Sequence, residues 1–209
     1  MIKNGWLVRI VKGVYSLSDL ANRGNVTISQ LLIANTIEKN SYVSFGYALQ
    51  YYGMFDHLMS TLASVSIGQY KKQVVSGVTY KFIRTQKKYF FGWESVNINN
   101  YYARVASREK TLIDMIQFSK SAEVVDTVIE KIRDYKEEID LEKLVQYLAK
   151  STVSTIKIFG FIFDILKINS GDIYKLVQCN RTLVRIDSKS KDFNSKWRIY
   201  YNKLGSWVD

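Results

Sequence analysis

Between Thr61 and Ser107 the residues alternate, and that alternation constrains the fold more than any other feature. The stretches "TLASVSIG", "VTYKFIRT", "KKYFFGWESVNI" and "YYARVAS" tend toward a period of two in their apolar and aromatic residues. On a helix such a pattern would scatter the apolar side chains around the axis; on a strand it collects them on one face. Their β-branched and aromatic content agrees with strands. "KKQVVSG", between the first two, reads as a basic, flexible turn. From Ser107 onward the period lengthens. "SREKTLIDMIQFSK", "EVVDTVIEKIRDYKEEI", "LEKLVQYLAKS", "TVSTIKIFGFIFDILKIN" and "GDIYKLVQCN" read as five helices, before the strands "TLVRIDS" and "KWRIYYNK" close the chain. A strand block, a helix block and two closing strands define an α+β fold.

The chain begins differently. "GWLVRI" and "GVYSL" form a hairpin around a basic turn at Val11, Lys12 and Gly13. A polar joint, "SDLANRGN", carries Gly24 and suggests a boundary between a small element, 1–24, and an α+β domain, 25–209. "VTISQLLIANTIEKN" then predicts a helix whose apolar face holds Ile28, Leu31, Leu32 and Ile37. "SYVSFGYALQYYGM" predicts a short helix capped by Ser44 and stopped at Gly53.

Several function classes are disfavoured. No apolar run approaches the ~18 residues that cross a bilayer, since "IKIFGFIFDILKI" is interrupted by Lys157, Asp164 and Lys167. No secretory leader is expected after Met1, because alternation follows Lys3 directly. A single cysteine, Cys179, precludes an intrachain disulfide and fits a reducing cytoplasm. With one histidine besides, a zinc site of ordinary ligands is not expected, nor is any cofactor. His57, in "MFDHLMS", reads as a loop or cap residue. Glu109 and Asp114 are five apart on a predicted helix and so point in separate directions. The carboxylates of "DTVIEKIRDYKEEIDLEK" are accounted for by i,i+4 pairing on exposed helix faces, not by a metal-binding cluster. No glycine-rich phosphate loop is present. No catalytic residue is assigned, and the expectation is a protein that is not an enzyme.

The net charge of +11 is unevenly spread. Residues 70–110 carry nine basic and two acidic side chains, and residues 151–209 carry ten and five, whereas 111–150 are net acidic. This asymmetry suits a polyanionic partner. In the opening hairpin, Arg9 and Lys12, with Lys3 just before them, are placed to touch phosphate as the wing of a winged helix does. A plain edge hairpin packing Trp6, Leu7, Ile10 and Tyr15 on a core accounts for the same residues.

"GWLVRIVKGVYSL" resembles the wing of the AbiEi-type antitoxins of type IV toxin–antitoxin and abortive-infection systems. "YVSFGYALQYYGM" resembles the helical motif that opens their second domain. "KKYFFGW" and "ARVASREKTLIDMI" are similar to the strand and the strand-to-helix step after it, and "IKIFGFIFDILKI" through "KWRIYYNK" to the end of the family. The resemblance implies a winged helix that binds and represses the operon's own promoter. It also implies an α+β domain that counters a nucleotidyltransferase-like toxin in phage defence without requiring a stable complex. DNA contacts would come from Lys3, Arg9 and Lys12. A polyanion surface would come from Lys71, Lys72, Lys81, Arg84, Lys87, Lys88, Arg104 and Arg108. Family members carry two to three helices before the wing, so residues 1–24 are expected to hold only the tail of a recognition helix and the wing, with sequence-specific repression weakened accordingly.

Overall fold

A computed structural model describes residues 7–18 and 28–202, and they form an α+β protein. The chain divides into two compact units between Ser107 and Arg108. The boundary expected at residue 24 lies outside the described residues.

The first unit is built on a six-stranded sheet. Its strands are β3 (Ser41–Val43), β4 (Thr61–Ser66), β5 (Gln73–Val75), β6 (Val78–Arg84), β7 (Trp93–Ile98) and β8 (Tyr101–Ala106), in the order β5-β6-β4-β3-β8-β7. The four strands expected from the alternation are all present. "KKQVVSG", expected to be a turn, instead contributes the edge strand β5, joined to β6 by a two-residue turn at Ser76 and Gly77. Both turn residues have positive φ, as does the Asn99–Asn100 pair joining β7 to β8. These are the mirror-image turns whose twist matches a tight hairpin, and Asn and Gly are the residues that tolerate them. β3 is the strand that alternation does not reveal. It runs parallel to β8, with Val43 opposite Val105, and antiparallel to β4.

Two elements from the front of the chain pack within this unit. One is the hairpin of β1 (Leu7–Val11) and β2 (Val14–Leu17); the other is helix α1 (Gln30–Ile37), capped by the Ser29 side chain. Ile10, Ile33, Ala34, Val43, Leu62 and Tyr80 form one buried cluster, so the hairpin shares the core of the unit. The buried face of α1 is Ile33 and Ala34, with Leu31 and Ile37 partly covered, whereas Ile28 and Leu32 were expected inside. Helix α2 (Phe45–Tyr51) ends as expected at Gly53, whose φ is +70°. The Gly53 N–H donates to Gln50 and the Met54 N–H to Leu49 (2.8 Å), which closes the helix with a left-handed cap.

The second unit holds helices α3 (Arg108–Phe118), α4 (Ala122–Asp134), α5 (Leu141–Leu148), α6 (Val153–Ile165) and α7 (Gly171–Val177). Side chains of Ser121, Asp140 and Thr152 cap α4, α5 and α6. On α4, Glu130 pairs with the adjacent Lys131 (2.7 Å) and Asp134 with the adjacent Arg133 (2.9 Å). Glu138 pairs with Arg108 (3.4 Å) and Glu109 with Lys143 (3.1 Å), so packing of α3 near α5 joins charges distant in sequence. Lys110 and Asp114 form a buried i,i+4 pair on α3. α6 is the central helix, with Phe159, Ile162 and Phe163 essentially inaccessible.

A small sheet completes this unit: β9 (Val184–Arg185), β10 (Asp192–Asn194) and β11 (Ile199–Tyr201), in the order β10-β11-β9. Trp197 anchors it to α6. The indole N–H donates to the Asp164 carboxylate (2.6 Å), which also accepts from Lys196 (2.8 Å) and Ser170 (2.6 Å). The indole ring lies where a Cβ on Gly160 would stand, 2.2 Å away. Burial by itself pushes the Asp164 carboxyl upward, but the hydrogen bonds from Lys196, Ser170 and Trp197 outweigh it and hold the group below the usual carboxylate range.

Two outcomes are expected. Gly160→Ala should overpack the helix against an indole that is itself held by a hydrogen bond, lowering stability by about 1–3 kcal/mol in urea unfolding. Because Asp164 binds a proton less readily in the folded than in the unfolded chain, its contribution is present above an unfolded carboxyl pKa of about 4 and lost as pH falls through the folded value. Unfolding midpoints measured between neutral and acid pH should therefore fall less steeply in Asp164→Asn than in the parent chain.

Candidate nucleic-acid interface

The hairpin sorts its side chains by face. Arg9 lies opposite Tyr15, and Leu7 opposite Leu17, on the outer side; Val8 lies opposite Ser16 on the side where Ile10 and Ser16 are buried. The register shifts between Arg9 and Val11, a bulge that lets Ile10 turn into the core. Lys12 is exposed in the turn beside Gly13, whose positive φ permits the tight reversal. The exposed Arg9 guanidinium donates to the Val11 carbonyl at 3.4 Å. Two exposed cations thus stand on a hairpin whose Ile10 is buried in the core of the unit. Lys3 lies outside the described residues.

A groove of about 600 Å³ runs between this hairpin, α1 and the β7–β8 turn. Tyr15, Tyr101, Tyr102, Asn35 and Lys39 contribute to its walls. Tyr101 and Tyr102 are about two-thirds exposed (68% and 65%), well beyond what a packed aromatic residue shows. The sequence singled out neither tyrosine as a surface residue, since alternation alone suggests that one of the pair is buried.

Within the first unit, the lysines and arginines of residues 70–107 do not all share one face of the sheet. Lys71 and Lys72 are exposed ahead of β5, and Lys87 and Lys88 are exposed in a single 3-10 turn, Lys87–Tyr89. Lys81 is opposite Ala63 and Arg84 opposite Ser66, so the two project from opposite faces of the sheet. Arg104 stacks over Trp93, 4.4 Å from the ring centroid, and donates to the Lys39 carbonyl (3.2 Å). Arg108 belongs to the second unit and pairs with Glu138. The exposed lysines are thus the better placed for a polyanion, while Arg104 and Arg108 already have partners within the protein.

Elsewhere in the first unit, polar groups serve the structure. Asn35 accepts the Arg104 backbone N–H on its side-chain oxygen (2.8 Å), supplying an acceptor to β8 where the short β3 gives none. Burial raises the pKa of Tyr47, whose hydroxyl donates to the Met59 carbonyl (2.7 Å). Among the described residues, no three His, Cys, Asp or Glu side chains gather where they could hold a metal ion, and no helix is long and apolar enough to cross a membrane.

These features describe an α+β protein of two units, with a cationic hairpin and an aromatic groove on the first. No protein-family profile matches the sequence, and no curated protein matches it significantly. Among solved structures, the fold is similar to that of the RV2827C protein from Mycobacterium tuberculosis. The TM-score is 0.61 at 12% identity, over 97% of this chain and 77% of that one. At this identity the likeness extends to the fold alone.

Asn35→Ala should leave the Arg104 N–H without its acceptor and cost about 1–2 kcal/mol of stability. Hydrogen exchange should show the Arg104 amide losing protection while the central β4–β6 pairs keep theirs.

Proposed function

We propose that this chain is an antitoxin-like, DNA-binding autoregulator of a type IV toxin–antitoxin, or abortive-infection, system. It acts in the cytoplasm, has no catalytic activity of its own and counters a nucleotidyltransferase-like toxin without forming an obligatory complex. The observation that carries the reading is the hairpin itself. Arg9 and Lys12 face outward while Ile10 fixes the hairpin in the core, an arrangement suited to laying cations along a phosphate backbone. The exposed lysines at 71, 72, 87 and 88 support a second polyanion contact. Phosphate contacts position a protein without reading sequence, so binding through these groups alone would be strongly salt-dependent.

A second reading, a protein-interaction module without nucleic acid contact, draws on the edge strand β5. Val74, at its centre, is 67% exposed, and such an edge can pair with another chain.

A salt-titrated mobility shift on DNA from upstream of the gene, beside scrambled DNA, separates the two. The first reading expects binding whose salt slope falls by about one for each of Arg9→Ala and Lys12→Ala. It also expects charge reversal of Lys71, Lys72, Lys87 and Lys88 to impair polyanion binding or toxin neutralisation. A salt-insensitive dimer that ignores both DNAs would favour the second.

A further inference from the structure

We propose that the outward face of the small sheet β10-β11-β9 binds single-stranded nucleic acid, with Phe193, Tyr200 and Arg185 as its stacking platform. The three residues are register partners: Phe193 lies opposite Tyr200, and Tyr200 opposite Arg185, so they form one row across all three strands. The rings of Phe193 and Tyr200 are 4.9 Å apart, and the Arg185 guanidinium lies over Tyr200 at 4.3 Å. Phe193 is 46% exposed. At the ordinary strand spacing the row spans roughly 10 Å, room for two or three bases.

The other face of the same sheet explains why this one is left open. Val184 and Ile199 point inward and are buried, and Tyr201 packs on Phe161 of α6, 4.8 Å between centroids. One face thus meets the needs of the core, and the aromatic row on the opposite face packs only across its own strands, with Phe193 left half-exposed.

Charge identifies the occupant. Residues 181–198 carry six basic side chains, Arg181, Arg185, Lys189, Lys191, Lys196 and Arg198, against two acidic ones, and of the six Lys196 is paired with Asp164 of α6. Arg185 donates to the Ser190 carbonyl and Arg198 to the Arg181 carbonyl (3.0 Å), so both keep their positive charge unneutralised by these contacts. Burial, and secondarily the charge of Arg198, lowers the pKa of Lys157, which donates to the carbonyls of Asn180 and Thr182 beneath this region. A protein partner would call for fewer charges at the centre of the patch. Aromatic faces within a cationic rim suit unstacked bases with their phosphates. A duplex hides its base faces and would gain nothing from the row. This site lies in the second unit and is independent of the hairpin proposed for DNA.

The test is fluorescence anisotropy on the whole chain at several salt concentrations. The probes are labelled 12-mer oligodeoxythymidine and oligouridine, with a duplex and an abasic 12-mer as controls. Both single strands should bind at least tenfold more tightly than the abasic strand and the duplex. Phe193→Ala and Arg185→Gln should each weaken single-strand binding about tenfold, with Phe193→Tyr restoring it and circular dichroism unchanged. Arg9→Ala with Lys12→Ala should leave it intact, which keeps the outcome separate from that of the hairpin. Equal binding of the abasic strand overturns the proposal, as does a folded Phe193→Ala that binds normally. Self-association that Phe193→Ala abolishes would also overturn it, by marking a protein-docking face.

Discussion

Three residues hold the first unit together. Among the described residues, Ser41, Tyr42 and Val43 form the only strand that pairs with both β4 and β8, and all three are fully buried. Without β3 the sheet would fall into a β5-β6-β4 half and a β8-β7 half. Its shortness also sets its surroundings. The Ser41 hydroxyl donates to the Glu38 carbonyl (2.7 Å), the Ser44 N–H to Ala63 (3.1 Å), and Asn35 supplies the acceptor that β3 is too short to provide. A strand this short is held by its neighbours as much as it holds them.

The second unit depends on a polar knot. Asp164 lies on α6, yet its carboxylate gathers donors from Ser170, Lys196 and Trp197, linking the central helix to the segment before α7 and to the small sheet. Gly160, one turn earlier on the same helix, makes room for the indole. An aspartate in an otherwise apolar helix looked like an interruption of a hydrophobic run; in the structure it is the attachment point for everything that follows.

The sequence made some elements plain and obscured others for identifiable reasons. β6 was legible because it buries alternate residues, Tyr80 and Phe82, and β4, β7 and β8 were legible from their β-branched and aromatic content. β3 was not, since three consecutive buried residues have no period. β5 was obscured by two lysines and a turn. The face of α1 was misjudged because "QLLIANTI" is apolar around much of its circumference, and only the partners of Ile33 and Ala34 decide which side is inside. Among the candidate contacts, Arg9 and Lys12 stand on the hairpin where the alternation places them. The cluster of cations at 70–108 is close in sequence but divided by the sheet, since Lys81 and Arg84 differ in parity. The aromatic row on β10 and β11 joins Phe193 to Tyr200, a pairing visible only once the register of the two strands is known.

The Val43–Val105 pairing has a consequence for how the protein is made. Contacts so far apart in the chain form slowly, because a long loop must close before they can reward it. Synthesis runs from the N-terminus, and domains tend to fold as they emerge. The hairpin, α1 and the β4–β6 pair can assemble early, but the sheet stays open along β3 until residue 105 has left the ribosome. During that interval β3 offers the nascent chain an unpaired edge, a time window in which chaperones or neighbouring chains compete with β8 for the same hydrogen bonds.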